Sequence, residues 1–230
     1  SEFGNDITLN AALFAKIKAV YDQKETLNLN PEQTTLLDKK YKSFSRNGAN
    51  LAEDKKDKLR EIDKELSKLK LQFEENILAE TNSYELVISD KNDLSGLPNE
   101  LIETAASDAK AKGKAGKWVF TLSNSSVMPF LQYSSNRKLR QEIWNAYQMR
   151  ANNNNDKDNK ELAIKIANLR GEKARLLGYA THADYVLEKS MAKNPETANK
   201  LLNDLWIPAL NMANKEAADI QKMMQKEGIN

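Results

Sequence analysis

Between residues 53 and 81 apolar side chains return every three or four positions, at Leu59, Ile62, Leu66, Leu69, Phe73 and Ile77. Only a helix gathers such positions onto one face, so the spacing predicts one long amphipathic helix from about Glu53 to Thr81. The opposite face carries Asp57, Lys58, Glu61, Lys64, Glu65 and Lys68, which belong in water. Glu61 with Lys64 and Glu65 with Lys68 fall at i,i+3 spacing, where each pair adds a few tenths of a kcal/mol.

The same chemistry recurs along the chain. Leu13, Phe14, Ile17, Val20 and Tyr21 predict a helix over about 10–23. Asn30-Pro31-Glu32 supplies an N-cap, a proline at the first helical position and a first-turn acid, with Leu36, Leu37, Tyr41 and Phe44 as buried stripe and Gly48 as stop. Helices are also predicted over 98–112, ended by Gly113, and over 134–151, with Leu139, Ile143, Trp144 and Tyr147 inward and Asn152 to Asp156 as polar exit loop. Leu162, Ile166, Leu169, Leu176 and Leu177 mark a helix stopped by Gly178, and Thr181 caps a short one through Met191. Asn194-Pro195-Glu196 then starts a long helix towards Gly228, kinked at Pro208. Its Met212, Met223 and Met224, near Ile220, are expected in helix core, with an adaptable partner surface as the alternative. Two runs rich in β-branched and aromatic residues, 84–89 and 117–122, are predicted as strands whose relative direction the sequence leaves open. The expected fold is mainly α: a bundle-like lobe of long antiparallel helices over residues 5–230 with a small two-stranded element. Ser1-Glu2-Phe3-Gly4 reads as a cloning scar.

Composition narrows the chemistry. Lys and Arg total 35 against 33 Asp and Glu, so no global field recruits nucleic acid or an anionic membrane. Neither partner is expected, and no apolar run approaches the roughly 18 residues of a membrane span. There is no cysteine, which removes thiol catalysis and thiolate metal sites. There is one histidine, His182, whereas a zinc-protease helix needs two imidazoles at i and i+4 with a glutamate between them. His182 is therefore expected to be structural and partly exposed. Ser123, Ser125 and Ser126 are expected in a strand-exit loop without a base, and Asn124-Ser125-Ser126 matches a glycosylation sequon only formally. The eight glycines are scattered and form no phosphate-binding loop. The basic runs Arg137-Lys138-Leu139-Arg140 and Lys110-Ala111-Lys112-Gly113-Lys114 are expected as solvated helix surface. No catalytic, cofactor or metal residue is assigned within the chain.

Longer stretches carry a resemblance. Trp118-Val119-Phe120-Thr121-Leu122, Pro129-Phe130-Leu131, Asn136-Arg137, Leu139-Arg140 and Ala146-Tyr147 follow the pattern WVFTL, PFL, NRxLRxxxxxAY. That pattern is similar to a stretch of the thimet oligopeptidase and peptidyl-dipeptidase family. FSRNGANLAEDKKDKLREIDKELSKLKLQFEENILAETNSY and DLSGLP before it, and GEKARLLGYATHADYVLEKSMAKNPE after it, resemble the same family in order. The resemblance implies a two-lobed helical zinc peptidase whose narrow channel admits short peptides. In that family zinc is held by an HExxH helix and a downstream glutamate in the other lobe, and this sequence lacks that motif. The chain is thus expected to be a non-catalytic, zinc-free piece upstream of the HExxH half, forming part of a channel wall and inactive alone. Its partners would be the remaining lobe of the same protein and, for the parent, short peptide substrates. The stretches DLSGLP and LLGYATHADYVLEKSMAKNPE look most like the peptidyl-dipeptidase branch, which removes C-terminal dipeptides; internal cleavage of oligopeptides is the alternative. The sequence leaves localisation open between a bacterial cytoplasm and a periplasm. From another class, a helical interaction module using the Leu59 to Ile77 stripe as a seam is the rival reading.

Overall fold

The structure, a computed structural model, describes residues 2–229. Its helices are, in chain order, α1 (Glu2–Thr8), α2 (Ala11–Asp22), α3 (Pro31–Arg46), α4 (Glu53–Ser83), α5 (Asn99–Ala111), α6 (Asn124–Tyr133), α7 (Arg137–Gln148), α8 (Lys160–Leu176), α9 (His182–Leu187) and α10 (Pro195–Lys226). Two strands, β1 (Leu86–Ile88) and β2 (Trp118–Phe120), complete the mainly α fold. The chain forms two compact units, one of residues 63–169 and the other of residues 2–62 with 170–229.

In the first unit the strands pair antiparallel, with Leu86 opposite Phe120, Val87 opposite Val119 and Ile88 opposite Trp118. α5 covers β2, its Ala105 and Ala109 buried where a larger side chain would hold helix and sheet apart. Phe120, Leu122, Val127, Phe130 and Ile143 close the core, with the Phe120 and Phe130 ring centroids 4.7 Å apart and tilted by 58°. Such tilted aromatic pairs are favoured over flat stacking because ring edges and faces carry opposite partial charge. Gly96 turns the chain at φ +86°. A Cβ there would meet the Tyr133 carbonyl oxygen, and Ser135 Oγ at 2.6 Å, so the close approach of two backbones excludes a side chain.

In the second unit α2 lies on α3, joined by Phe14 with Tyr41 at 5.8 Å and Phe44 at 6.2 Å, and by Tyr21 stacked on Tyr41 at 3.8 Å. The Asn30 cap forms as its sequence requires: Gln33 N donates to Asn30 Oδ1 at 2.8 Å, and Asn30 N donates to Gln33 Oε1 at 3.0 Å. Gly48, at φ +96°, ends that helical segment and lies against the Leu59, Leu51 and Leu177 side chains. Thr181 and Asp184 form a second capping box on α9, and Asn194 with Pro195 starts α10.

Several expectations change. The strands are three residues each, the pairing being confined to Leu86 with Phe120, Val87 with Val119 and Ile88 with Trp118. Residues 2–4, read from the sequence as a scar, form the start of α1, with Thr8 Oγ1 donating to Gly4 O at 2.8 Å, which leaves their origin untouched. Ser123, Ser125 and Ser126 are not in a loop: Ser123 is the N-cap of α6, and the other two lie in its first turn. α7 starts three residues late because Asn136 Oδ1 caps Leu139 N at 3.1 Å. It stops before Ala151, whose φ of +55° no helix accommodates. Leu36 and Trp144, expected in the stripes of α3 and α7, are exposed, and α10 buries no residue at all, its methionines included.

Candidate functional site

The residues that carry the family pattern are tied into the first unit. Trp118, Val119 and Phe120 form β2, and Phe130 fills the core. Asn136 caps α7 and donates its amide to Asp93 Oδ1 at 2.8 Å, which ties that helix to the segment after β1. Arg140 donates to the Ser134 carbonyl, and Tyr147 Oη donates to Asn124 Oδ1 at 3.3 Å across to α6. Asn136, Arg140 and Tyr147 thus spend hydrogen bonds on backbone or on neighbouring segments, so these residues of the pattern specify an architecture.

A cleft of about 590 Å³ opens on this unit, with Glu80, Tyr84, Leu122, Arg150, Asn153 and Asn155 among its walls. Glu80 projects from α4 and is 9% exposed. Its carboxylate accepts from Ala151 N at 2.6 Å, Asn153 Nδ2 at 2.7 Å and Asn155 Nδ2 at 2.6 Å. The Asn-rich run, expected as a plain exit loop, is therefore wrapped around a buried acid, which is the feature the sequence reading missed. Below it Lys160 Nζ donates to Asn152 Oδ1, Asn154 Oδ1 and Asp158 Oδ2 at 3.0, 2.8 and 2.6 Å. The Lys160 side chain and backbone amide hold Asp158 down from 3.8 to about 2. Asn159 closes the loop by donating to Phe73 O at 2.9 Å and accepting from Asn76 at 2.9 Å in the interior. Arg150 lies 3.8 Å over the Tyr147 ring and donates to Tyr147 O at 2.8 Å. Tyr84 Oη is buried without a hydrogen-bond partner among the described residues. Burial, with the Glu142 charge adding, pushes this phenol up to about 12, so it stays protonated near neutrality. Within the cleft the Glu80 carboxylate is committed to holding the loop that forms part of its wall.

The stretch GYATHADYVLE lies in the second unit. Arg46 Nε donates to Glu188 Oε2 at 2.5 Å and its Nη2 donates to the Tyr185 carbonyl. The guanidinium sits 4.8 Å over the Tyr185 ring and 5.7 Å over Tyr179. Tyr179 Oη donates to the same Glu188 oxygen at 2.6 Å, and Tyr185 Oη donates to Asn47 Oδ1 at 2.8 Å. Tyr179, then Arg46, hold the Glu188 carboxyl below its ordinary value. His182 begins α9, half-buried, with its ring 6.3 Å from Tyr185.

The remaining sequence candidates have local roles. Thr121 Oγ1, Ser123 Oγ and Ser125 Oγ form a hydroxyl chain with links of 3.0 and 3.3 Å, and Ser126 Oγ accepts from Thr121 N at 3.0 Å. The only imidazole of the sequence is in the other unit. Lys112 and Lys114 both engage Glu85, whose carboxyl they hold below its usual range. The donor set does not fit a zinc centre of the kind the resemblance implies: that centre needs two imidazoles, and the sequence has one, whose ring lies 6.3 Å from Tyr185. Among the described residues no three His, Cys, Asp or Glu are grouped to hold a metal ion, and no helix is long and apolar enough to cross a membrane.

Residues 130–230 match the model of peptidase family M3. The chain is similar to dipeptidyl carboxypeptidase of Escherichia coli (strain K12), 33% identical over 227 residues, covering 99% of this chain and 33% of that protein. It is 31% identical over 231 residues to oligopeptidase A of Haemophilus influenzae, covering 99% of this chain and 34% of that protein. It is 32% identical over 225 residues to the probable cytosolic oligopeptidase A of Arabidopsis thaliana, covering 94% of this chain and 31% of that protein. The chain spans about a third of the length of the curated relatives it matches. The pattern residues serve as ties within their own units, and the chain is similar to peptidase family M3 over residues 130–230 and to proteins named as peptidases along nearly all of its length.

Proposed function

We propose that the chain is a wall-forming, non-catalytic segment of a zinc-dependent M3 peptidase that removes C-terminal dipeptides from short peptides. The observation that carries this reading is the 33% identity to a dipeptidyl carboxypeptidase along 99% of the chain, in a sequence with a single imidazole. A metal centre that cleaves peptides requires more imidazole than the segment holds, so the chemistry would reside in another part of the polypeptide. When bound there, zinc would polarise the scissile carbonyl and activate water. This segment's own contribution would be steric, its helices lining part of the channel and excluding a folded substrate.

Internal cleavage of oligopeptides is the second reading, favoured by the oligopeptidase A relatives at 31% and 32% identity. One assay separates them. The polypeptide encoded by the whole gene is given an N-acylated hexapeptide with a free carboxylate and the same peptide as its C-terminal amide. Release of dipeptides in succession from the free acid alone supports the first reading. Equal internal cleavage of both peptides supports the second, and cleavage of neither removes the peptidase reading.

A further inference from the structure

α10 is 32 residues long and buries none of them, yet it carries Leu201, Leu205, Trp206, Leu210, Ile220 and Met223, which are 41% to 63% exposed. An isolated helix gains little in water without a packed face, and soluble proteins rarely leave so long an apolar strip uncovered. With about 100° of turn per residue these six positions spread over roughly half the helix circumference, wider than the narrow seam of a two-stranded coiled coil. Covering such an arc takes elements on more than one side, as in a domain core. Two of its ion pairs close within the helix, Lys200 with Asp204 at 2.6 Å and Lys222 with Asp219 at 3.1 Å, so the apolar strip is the larger feature left to recognise a partner. The relatives of the chain are about three times its length, and α10 lies within the residues matched to family M3.

From these observations we infer that the apolar half-cylinder of α10 is the docking surface for the remainder of the same polypeptide, which covers it permanently. The inference rests on the reading of the chain as a segment of a longer M3 peptidase. Its occupant is a set of the protein's own elements rather than a second copy, because a symmetric pairing of two α10 helices would leave much of the arc wet.

The chain has no cysteine, so single thiols report cleanly. Leu205→Cys and Trp206→Cys are introduced separately into the polypeptide encoded by the whole gene and into the 230-residue chain, with Lys200→Cys on the polar side as control. Modification by a water-soluble maleimide is followed by peptide mass spectrometry at two protein concentrations. The expected result is labelling at 205 and 206 at least about tenfold slower in the whole polypeptide than in the 230-residue chain, independent of concentration, with position 200 reactive in both. Hydrogen exchange over 201–223 of the unsubstituted proteins gives the same comparison if a variant fails to fold. Equal labelling in both forms overturns the inference, as does protection of the 230-residue chain that vanishes on dilution, which would assign the surface to a second copy. Dipeptide release is measured on the same preparation. Protection without peptidase activity would support the docking surface while removing the proposed function, and activity without protection would do the reverse.

Discussion

Replacing Glu80 by alanine removes the acceptor on which the loop after α7 is wound. The Ala151 N–H is buried and would be left without a partner, which costs about 1–3 kcal/mol. Asn153 and Asn155 are exposed and can turn their amides to water, so each lost bond costs roughly 0.5–1 kcal/mol net. Removing a buried charge returns part of its desolvation penalty. The balance is about 2–4 kcal/mol, read in urea as a midpoint lowered by roughly 1–2 M for the unit of residues 63–169. Glu80→Gln keeps an oxygen for Ala151 and Asn153 but sets an amide against Asn155, so about half the loss is expected. Hydrogen exchange of residues 151–159 should accelerate in the alanine variant before the rest of the unit opens. An alanine variant within about 0.5 kcal/mol of the parent would refute the reasoning, because a surface substitution has that effect without any buried node.

Gly96→Ala should cost roughly 3 kcal/mol or more in thermal unfolding, since its Cβ would strike backbone as well as occupy φ +86°, whereas Gly113→Ala, at φ +72° with nothing within 4 Å, should cost about 1 kcal/mol; equal losses would contradict the close approach. Phe130→Ala should destabilise by about 3–5 kcal/mol in chemical denaturation, as expected for a wholly buried ring, and a loss below about 1 kcal/mol would remove Phe130 from the core. Glu188 titrates below its ordinary 4.5 and Asp158 at about 2 against 3.8, so both contribute stability above those ordinary values and lose it as pH falls through the lowered ones. NMR-detected exchange should therefore show α9 loosening below pH 4.5 and loop 152–158 holding until nearer pH 2; loosening of either as pH rises from 5 to 7 would reverse the sign and sink the assignment.

The helical body was legible because its signals are local. The Leu59 to Ile77 stripe, the Asn30 and Asn194 caps and the stops at Gly48, Gly113 and Gly178 each need only neighbours along the chain. α6 was hidden because Pro129 sits inside it and Asn124, Ser125 and Ser126 favour turns; packing of Val127 and Phe130 into the core overrides that preference. Glu80 looked like any acid on a charged helix, and its role depends on amides more than seventy positions away, which no periodicity reveals. The burial of Trp144 and of the α10 methionines differs from expectation because an apolar stripe shows that a face wants cover without showing whether this segment supplies it. The family resemblance reached further than residue patterns did, yet its quoted residues are architectural. The absence of a second imidazole was the one functional statement the sequence made outright.

The account stands or falls on where the peptide-cleaving chemistry lies. The most direct measurement compares the 230-residue chain with the polypeptide encoded by the whole gene, each purified and assayed for zinc content and for turnover of an N-acylated tripeptide, before and after treatment with a chelator. The account predicts about one zinc per molecule and chelator-sensitive turnover in the whole polypeptide, and neither in the 230-residue chain. Stoichiometric zinc together with turnover by the 230-residue chain alone would contradict it.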